Sequence, residues 1–394
     1  MQASATVFSQ ITSGLFPSEF SRLIQKHPTR KPPRGITQYD HFLALCFGQL
    51  TYRESLRDIV ACLNSKPRLL YHLGFRGNIT RTNLAYASKN RDWRLFQGIA
   101  QLLMRRAAQA YQEDDSGVDV PGLVFALDSS MISLALNLFP WGYYARSKQA
   151  AVKLHLMLSL KGNLPAWAVI TANKVGDMRM LEEIPIHPGA HYVMDRGYMD
   201  FIRLHRVHRA GGFFVVRCKE PVSFKTVERK EVKGQEGIGC DQMVKLKSNW
   251  SEKSYPELMR RIRSWDSETG NELVLLTNNL FSAPVVVAQL YKKRWQVELF
   301  FKWIKQHLRL RAFYGRSENA VRCQIWSAIC AYLLVAILKK RIGVEKSLNE
   351  ILQITSVGIF DQTPANIVFS EAREANAPSA RGLQTQDCFD FNDL

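Results

Sequence analysis

The sequence predicts a mixed α/β core set between helical segments. Three observations carry that reading: helical apolar spacing over residues 1–118, a change at Gly122 to short apolar runs separated by turn residues, and a return to long helical periodicity from Pro284. At 394 residues the chain has room for two or three domains, taking about 150 residues per domain. Its 46% hydrophobic and 22% charged residues are ordinary globular composition, which excludes wholesale disorder.

The 53 Lys and Arg outnumber the 35 Asp and Glu, a formal net charge of +18. An excess of that size favours a polyanionic partner, nucleic acid ahead of a membrane surface. The longest apolar run, Ala328 to Leu338, is about half the ~20 residues that cross a bilayer and reads as a buried core helix. The opening MQASATVFSQ lacks the basic start and apolar stretch of a signal peptide. Seven scattered cysteines (Cys46, Cys62, Cys218, Cys240, Cys323, Cys330, Cys388) include no CxxC pair, which argues against a disulfide framework or zinc ribbon and for reduced thiols in the cytosol. No P-loop is present, so ATP dependence is not indicated.

Residues 1–118 form the expected helical domain. Ile36 to Leu50 carries helical apolar spacing, and Ser55 to Leu63 begins on a Ser cap position. After a break at Gly77-Asn78-Ile79, one basic helix is expected from Asn83 to Arg106. A helix, a turn and a helix opening on Thr82-Asn83 and carrying Lys89 and Arg91 suit a helix-turn-helix DNA reader, although a plain bundle with a solvated basic face has the same pattern.

The core is expected in two parts, 119–219 and 271–345. Leu123 to Leu127 is an apolar strand ending in Asp128, and Val152 to Leu160 and Ala166 to Thr171 are strands around the turn Lys161-Gly162-Asn163. His191 to Met194 is a short strand ending in Asp195, Phe201 to Arg209 a helix, and Gly212 to Cys218 a further strand. His155, between two leucines on its strand, reads as structural, and Asp177 as a turn or cap residue that could support other carboxylates. Residues 220–270 are polar and rich in Lys and Glu, a β-rich insertion apart from the core. Glu272 to Thr277 returns as a strand, Pro284 opens one long helix reaching about Leu310, and Arg322 to Lys340 is an apolar helix. A C-terminal helix and loosely ordered tail occupy 346–394.

The long helix carries the strongest pattern. At 100° per residue, Tyr291, Arg294, Glu298, Lys302 and Lys305 share one stripe about 80° wide, beside an apolar face of Leu290, Val297, Phe300, Phe301, Ile304 and Leu308. A solvated face with i,i+4 ion pairs explains the charges, at about 0.2–0.5 kcal/mol per pair. It does not explain the run of cations at 292, 293, 294, 302, 305, 309, 311 and 316, broken only by Glu298. Asp128 and Asp195 end apolar strands, where a carboxylate is costly unless it is paired or binds a cation. Oxygen ligands of this kind select Mg²⁺ or Mn²⁺, and two such ions suit phosphodiester transfer.

With these residues in view, the sequence resembles bacterial DDE transposases of the insertion-sequence-four family. The helix spacing Tyr291, Arg294, Glu298 and Lys305, with Lys302 between, matches that family's glutamate signature. Asp195-Arg196-Gly197-Tyr198 matches its second aspartate region, and Leu127-Asp128-Ser129-Ser130 its first. The resemblance covers roughly 120–345 and implies a ribonuclease-H-like mixed sheet flanked by helices, with a β-rich insertion and an N-terminal helical DNA-binding domain. It implies Asp128, Asp195 and Glu298 as catalytic ligands of two Mg²⁺ or Mn²⁺ ions, and Tyr291, Arg294, Lys302 and Lys305 as phosphate contacts. Family members that form DNA hairpins hold a flipped base on a tryptophan, for which Trp250 and Trp265 are candidates here, though either could simply pack the insertion.

The partners implied are double-stranded DNA, both the inverted repeats of an element's ends and a target, and a second copy of the chain in the DNA complex. A cytoplasmic, nucleoid-associated bacterial protein is expected, with no membrane partner. Two rivals remain at this level: a catalytically silent DNA-binding regulator derived from such an enzyme, and a stand-alone structure-specific nuclease. The three carboxylates argue against the first.

Overall fold

The computed structural model describes residues 5–370 apart from 30–34, 145–147, 220–221, 233–236, 248, 266–269 and 308–312, so the expected C-terminal tail beyond 370 lies outside the described residues. The chain begins with helices α1 (Val7–Thr12), α2 (Pro17–Lys26), α3 (Gln38–Leu50), α4 (Leu56–Asn64), α5 (Arg81–Asn90) and α6 (Arg94–Ala110). Side-chain oxygens start several of them. Thr37 accepts from the backbone N–H of Asp40 while the Asp40 carboxylate accepts from Thr37, a reciprocal cap, and Ser55 and Thr80 cap α4 and α5.

The single basic helix expected from Asn83 to Arg106 is two helices. Arg91 takes an extended backbone (φ −87°, ψ 138°) and is buried, donating to the carbonyls of Ile36 at 2.5 Å and Thr37 at 2.6 Å. Asn319 closes the same break, its amide donating to the carbonyls of Ser88 and Arg91. A guanidinium committed to two internal carbonyls cannot also reach DNA, so of the two cations expected on a DNA-reading helix only Lys89 is exposed.

From β1 (Val124–Leu134) the chain turns to sheet: β2 (Tyr143–Tyr144), β3 (Gln149–Ser159), β4 (Leu164–Ala172), β5 (His191–Met194), α7 (Phe201–Arg209) and β6 (Phe213–Arg217). The β3–β4 reversal passes through Gly162 and Asn163, both with positive φ, which suits the sharp turn between paired Ser159 and Leu164. β1 pairs antiparallel with β3, and β3 antiparallel with β4, whereas β1, β5 and β6 run parallel. The order β4-β3-β1-β5-β6, three antiparallel strands followed by two parallel ones, is the ribonuclease-H-like arrangement.

The segment 220–270 does not stand apart from this sheet. It supplies β7 (Phe224–Lys230), β8 (Ile238–Leu246), α8 (Asn249–Ser254) and β9 (Met259–Trp265), and β9 pairs with β10 (Glu272–Thr277), which pairs with β6. One ten-stranded sheet results, with Val244, Leu246 and Met259 sharing a core with Tyr192, Phe214 and Leu276. The alternation of the segment identifies strands, but period-two spacing says nothing of which edge they join.

Helices α9 (Pro284–Lys293), α10 (Trp295–His307), α11 (Glu318–Ile342), α12 (Leu348–Gly358) and α13 (Ala365–Ser370) complete the described chain. α11 is long and apolar enough to cross a membrane by length and composition, yet 89% of its apolar window is buried within the protein. It packs against α3, α5, α6, α10 and β4, so the N-terminal helices and one face of the sheet share a single core around it. The opposite face carries a second core beneath α7 and Tyr255.

Two buried polar groups give this architecture measurable signatures. Arg260 on β9 is 2% exposed and donates to both carboxylate oxygens of Asp241 on β8, at 2.6 and 2.7 Å, and to the carbonyl of Ser282. Arg260→Met is expected to cost about 3–5 kcal/mol by leaving Asp241 buried and unpaired, and Asp241→Leu in the same chain should restore most of it in denaturant unfolding. Burial, followed by the charge of Arg91, pushes His41 on α3 down to about 3. The folded protein therefore keeps this imidazole neutral while the unfolded chain protonates below about 6.5, so the folded state loses about 2 kcal/mol between pH 7 and pH 5. His41→Gln should show a correspondingly shallower loss of unfolding midpoint over that interval.

Candidate active site

The sheet register brings the two aspartates together. Leu127 pairs with Met194 on adjacent parallel strands, so Asp128 and Asp195, the next residues, emerge side by side at the same edge, about 4.8 Å apart in the strand-pairing direction. Asp195 ends its strand as the sequence suggested, and the backbone turns at once through Arg196–Tyr198. Asp128 does not end its strand: β1 continues to Leu134 because β3 keeps pairing beyond the point where β5 stops. It sits where a doubly buried strand becomes a half-open one, which leaves its carboxylate reachable from one side.

Glu298 reaches the same edge from α10. The expected single helix is interrupted at Arg294, which keeps a right-handed helical backbone (φ −53°, ψ −31°) while the bonds around it tighten to a three-residue spacing, Arg294 N–H to Tyr291 O and Val297 N–H to Arg294 O. The stripe therefore survives the interruption. Leu290, Val297, Phe300, Phe301 and Ile304 are all buried, as the apolar face required, and Leu308, Arg309 and Arg311 lie outside the described residues. On the polar stripe Tyr291 is buried, Arg294, Glu298 and Lys305 are partly exposed, and Lys302 is exposed.

Arg294 binds the constellation together. One nitrogen of its guanidinium lies 2.6 Å from Glu298 and another 3.4 Å from Asp128, and its centre stands 5.8 Å from the Tyr291 ring. Lys305 donates to Ser130 Oγ at 2.6 Å, fixing the far end of the stripe to β1. Burial raises the Asp128 carboxyl to about 6. The negative charges of Glu298 and Asp195 push it the same way, against the Ser129 N–H at 2.7 Å and the Arg294 guanidinium. Burial likewise raises the Tyr291 hydroxyl and lowers Lys305.

Among the described residues, no three His, Cys, Asp or Glu side chains are gathered closely enough to hold an ion as they stand. Arg294 lies between two of the three carboxylates and meets part of their demand for positive charge. The donor chemistry fits a hard divalent cation: acidic oxygens, one of them held above the usual carboxylate range by burial.

Behind β1 lies the carboxylate that the sequence offered as a turn or cap residue able to support others. Asp177, which opens a short helical turn after β4, accepts from Ser129 Oγ at 2.6 Å and pairs with Lys153 at 2.7 Å, with His155 Nδ1 3.4 Å away. Burial pushes its carboxyl up, but hydrogen bonds from His155, Lys153 and Ser129 outweigh that and hold it well below the usual range. His155 also meets Thr171 Oγ1 at 2.9 Å through Nε2. A usable sign was Lys153 and His155 alternating with leucines on a strand that is otherwise buried.

The tryptophans fall elsewhere. Trp265 ends β9, 49% exposed, its indole lying against Gly239, three strands from β5 but at the same sheet edge as Asp195. Trp250 belongs to α8, and its side chain lies outside the described residues.

Arg294→Ala should leave Asp128 and Glu298 without their shared counter-charge. Metal-free protein is expected to lose about 1–3 kcal/mol at neutral pH, and millimolar Mg²⁺ to recover part of the fall in Tm. The same variant carrying Asp128→Asn and Glu298→Gln should show no recovery.

A family model described as a transposase DDE domain matches residues 120–334, more than half of the chain, and a model of a domain of unknown function matches residues 3–76. A putative transposase of Sinorhizobium fredii is 35% identical over 215 residues, covering 54% of this chain and 59% of the relative. A probable insertion-sequence transposase of Geobacillus stearothermophilus is 28% identical over 210 residues, covering 53% and 55%. A putative insertion-sequence transposase of a Synechocystis strain is 27% identical over 290 residues, covering 70% and 76%. The chain thus spans little more than half the length of the first two relatives. Among solved structures, a piggyBac transposase synaptic complex with hairpin DNA has a TM-score of 0.42 at 12% identity, covering 94% of this chain and 80% of that one. The matched residues 120–334 take in Asp128, Asp195 and Glu298, and on the strength of that match the chain belongs to the DDE transposase family.

Proposed function

We propose that the protein is a DNA transposase of the insertion-sequence-four type, which binds the terminal inverted repeats of its element and moves it by a cut-and-paste route. The observation that carries this reading is the meeting of Asp128 and Glu298 on one guanidinium, with Asp195 on the adjacent strand, in a chain of net charge +18. In this reading Asp128, Asp195 and Glu298 hold two Mg²⁺ or Mn²⁺ ions, whose chemistry when bound is to activate an attacking oxygen and stabilise a leaving one.

The chain's own residues do the rest. Arg294 exchanges its carboxylate partners for a backbone phosphate, and Lys305 and the exposed Lys302 bind phosphates further along the strand. Tyr291, buried beside Arg294, limits where that guanidinium can turn. Water attacks the phosphorus at the element end, the bond to the element's 3′ oxygen breaks as that oxygen takes up a proton, and the water proton passes to solvent. The complementary strand at the same end is hydrolysed likewise, which releases the element. The freed 3′-hydroxyl then attacks a target phosphorus and displaces the target's own 3′-hydroxyl. Trp265, exposed at the sheet end that carries Asp195, would stack on a displaced base, with Trp250 the other candidate. Pairing two element ends calls for two protomers, and the N-terminal helices read the repeats.

The test is incubation of the purified full chain with Mg²⁺ or Mn²⁺ and a duplex carrying the element's own inverted repeats. Cleavage followed by joining to a target is expected. Cleavage without joining would make the protein a nuclease, and binding without cleavage a silent regulator. Asp128→Ala and Glu298→Ala should each lower cleavage at least about a thousandfold, since several kcal/mol of charge stabilisation are lost, while metal-free DNA binding persists.

A further inference from the structure

Strand alternation divides β1 at the candidate site. Asp128 and Ser130 face α10, where Arg294 and Lys305 reach them. Ser129 faces the other way, and its hydroxyl donates to Asp177 Oδ1 at 2.6 Å. The cross-strand partner of Ser129 is His155, and that of Met131 is Lys153, so the two basic residues around Asp177 stand on the same rear face. The other Asp177 oxygen faces the second aspartate's turn: a methyl group on Gly197 would lie 3.7 Å from Oδ2. One carboxylate therefore binds the side chain next to Asp128 and lies beside the turn that follows Asp195.

We propose that Asp177, held by Lys153 and His155, is a positioning residue that sets the spacing of Asp128 and Asp195 for the divalent metal. It acts through Ser129 on β1 and through the Arg196–Tyr198 turn after β5. The carboxylate is anchored rather than free: Lys153 also reaches toward the Val175 carbonyl at 3.5 Å, and His155 is tied to Thr171 on β4. Ligand spacing is thereby referred to β3 and β4, on the face of β1 turned away from Arg294 and Lys305. Outer partners of this kind orient metal ligands without touching the metal, and losing one costs roughly 10- to 100-fold in metal affinity.

This inference rests on the metal site proposed above, and the experiment separates the two. Mn²⁺ is titrated into the full chain bound to a duplex carrying the inverted repeat, free Mn²⁺ is followed by electron paramagnetic resonance, and DNA affinity is measured in parallel without metal. Wild type should show saturable binding and Asp128→Ala should lose it. Asp177→Asn should weaken Mn²⁺ binding roughly 10- to 100-fold, and Ser129→Ala, a smaller change that keeps the fold, about 2- to 10-fold. DNA affinity should stay within about twofold in both. Ser129→Ala binding Mn²⁺ like wild type would overturn the positioning role, as would Asp177→Asn losing DNA affinity and metal affinity in equal measure. Saturable binding absent from wild type, or retained by Asp128→Ala, would overturn the site itself and the inference with it.

Discussion

The burial of carboxylates at one end of the sheet is the constraint on which the rest of the structure depends. Parallel pairing of β1 with β5 places Asp128 and Asp195 side by side, and α10 adds Glu298. Burial raises the Asp128 carboxyl, the Ser129 N–H and Arg294 hold it back, and the charges of Glu298 and Asp195 add to the rise, which leaves it at about 6. Such an arrangement persists only where the surrounding packing insists on it and a counter-charge is supplied. The packing comes from the buried face of α9 and α10, and the counter-charge from Arg294. The interruption between those helices falls at the residue whose side chain must reach sideways to two carboxylates at once.

The front and the back of β1 are handled separately. On the α10 side, Arg294 and Lys305 supply positive charge that a phosphate could claim. On the other side, Asp177 is tied to β1, β3 and, through His155 and Thr171, β4. The two faces carry separate networks, an arrangement a period-two strand allows because consecutive residues face opposite ways. The continuous sheet extends the same edge out to Trp265, and α11 ties the N-terminal helices into the core on one face of the sheet. Asn319 at the head of α11 holds the α5–α6 break directly, so the helices expected to read DNA are built onto the core rather than tethered to it.

Much of this was legible in the sequence. The strand His191 to Met194, the helix Phe201 to Arg209 and the strand Glu272 to Thr277 stand where apolar runs and turn residues put them. The stripe on the glutamate helix was legible because a period of 3.6 is a local property, and its described apolar residues are buried as the wheel divides them, with Tyr291 of the polar stripe buried as well. Arg91 misled, since a cation on a helix looks the same whether it faces solvent or two carbonyls. The continuation of β1 past Asp128 depended on β3, whose paired residues lie 16 to 26 positions further along the chain.

By itself the sequence determined the element types, the basic character, the three carboxylates and the spacing of cations around Glu298, all of which follow from composition and short-range periodicity. Tertiary structure alone decided that residues 220–270 extend the central sheet, that Arg294 bridges two carboxylates, and that Asp177 grips Ser129. The reason is the same in each case. Strand edges and ion pairs join residues far apart in the chain, and nothing in local periodicity says which unsatisfied edge or charge will find which.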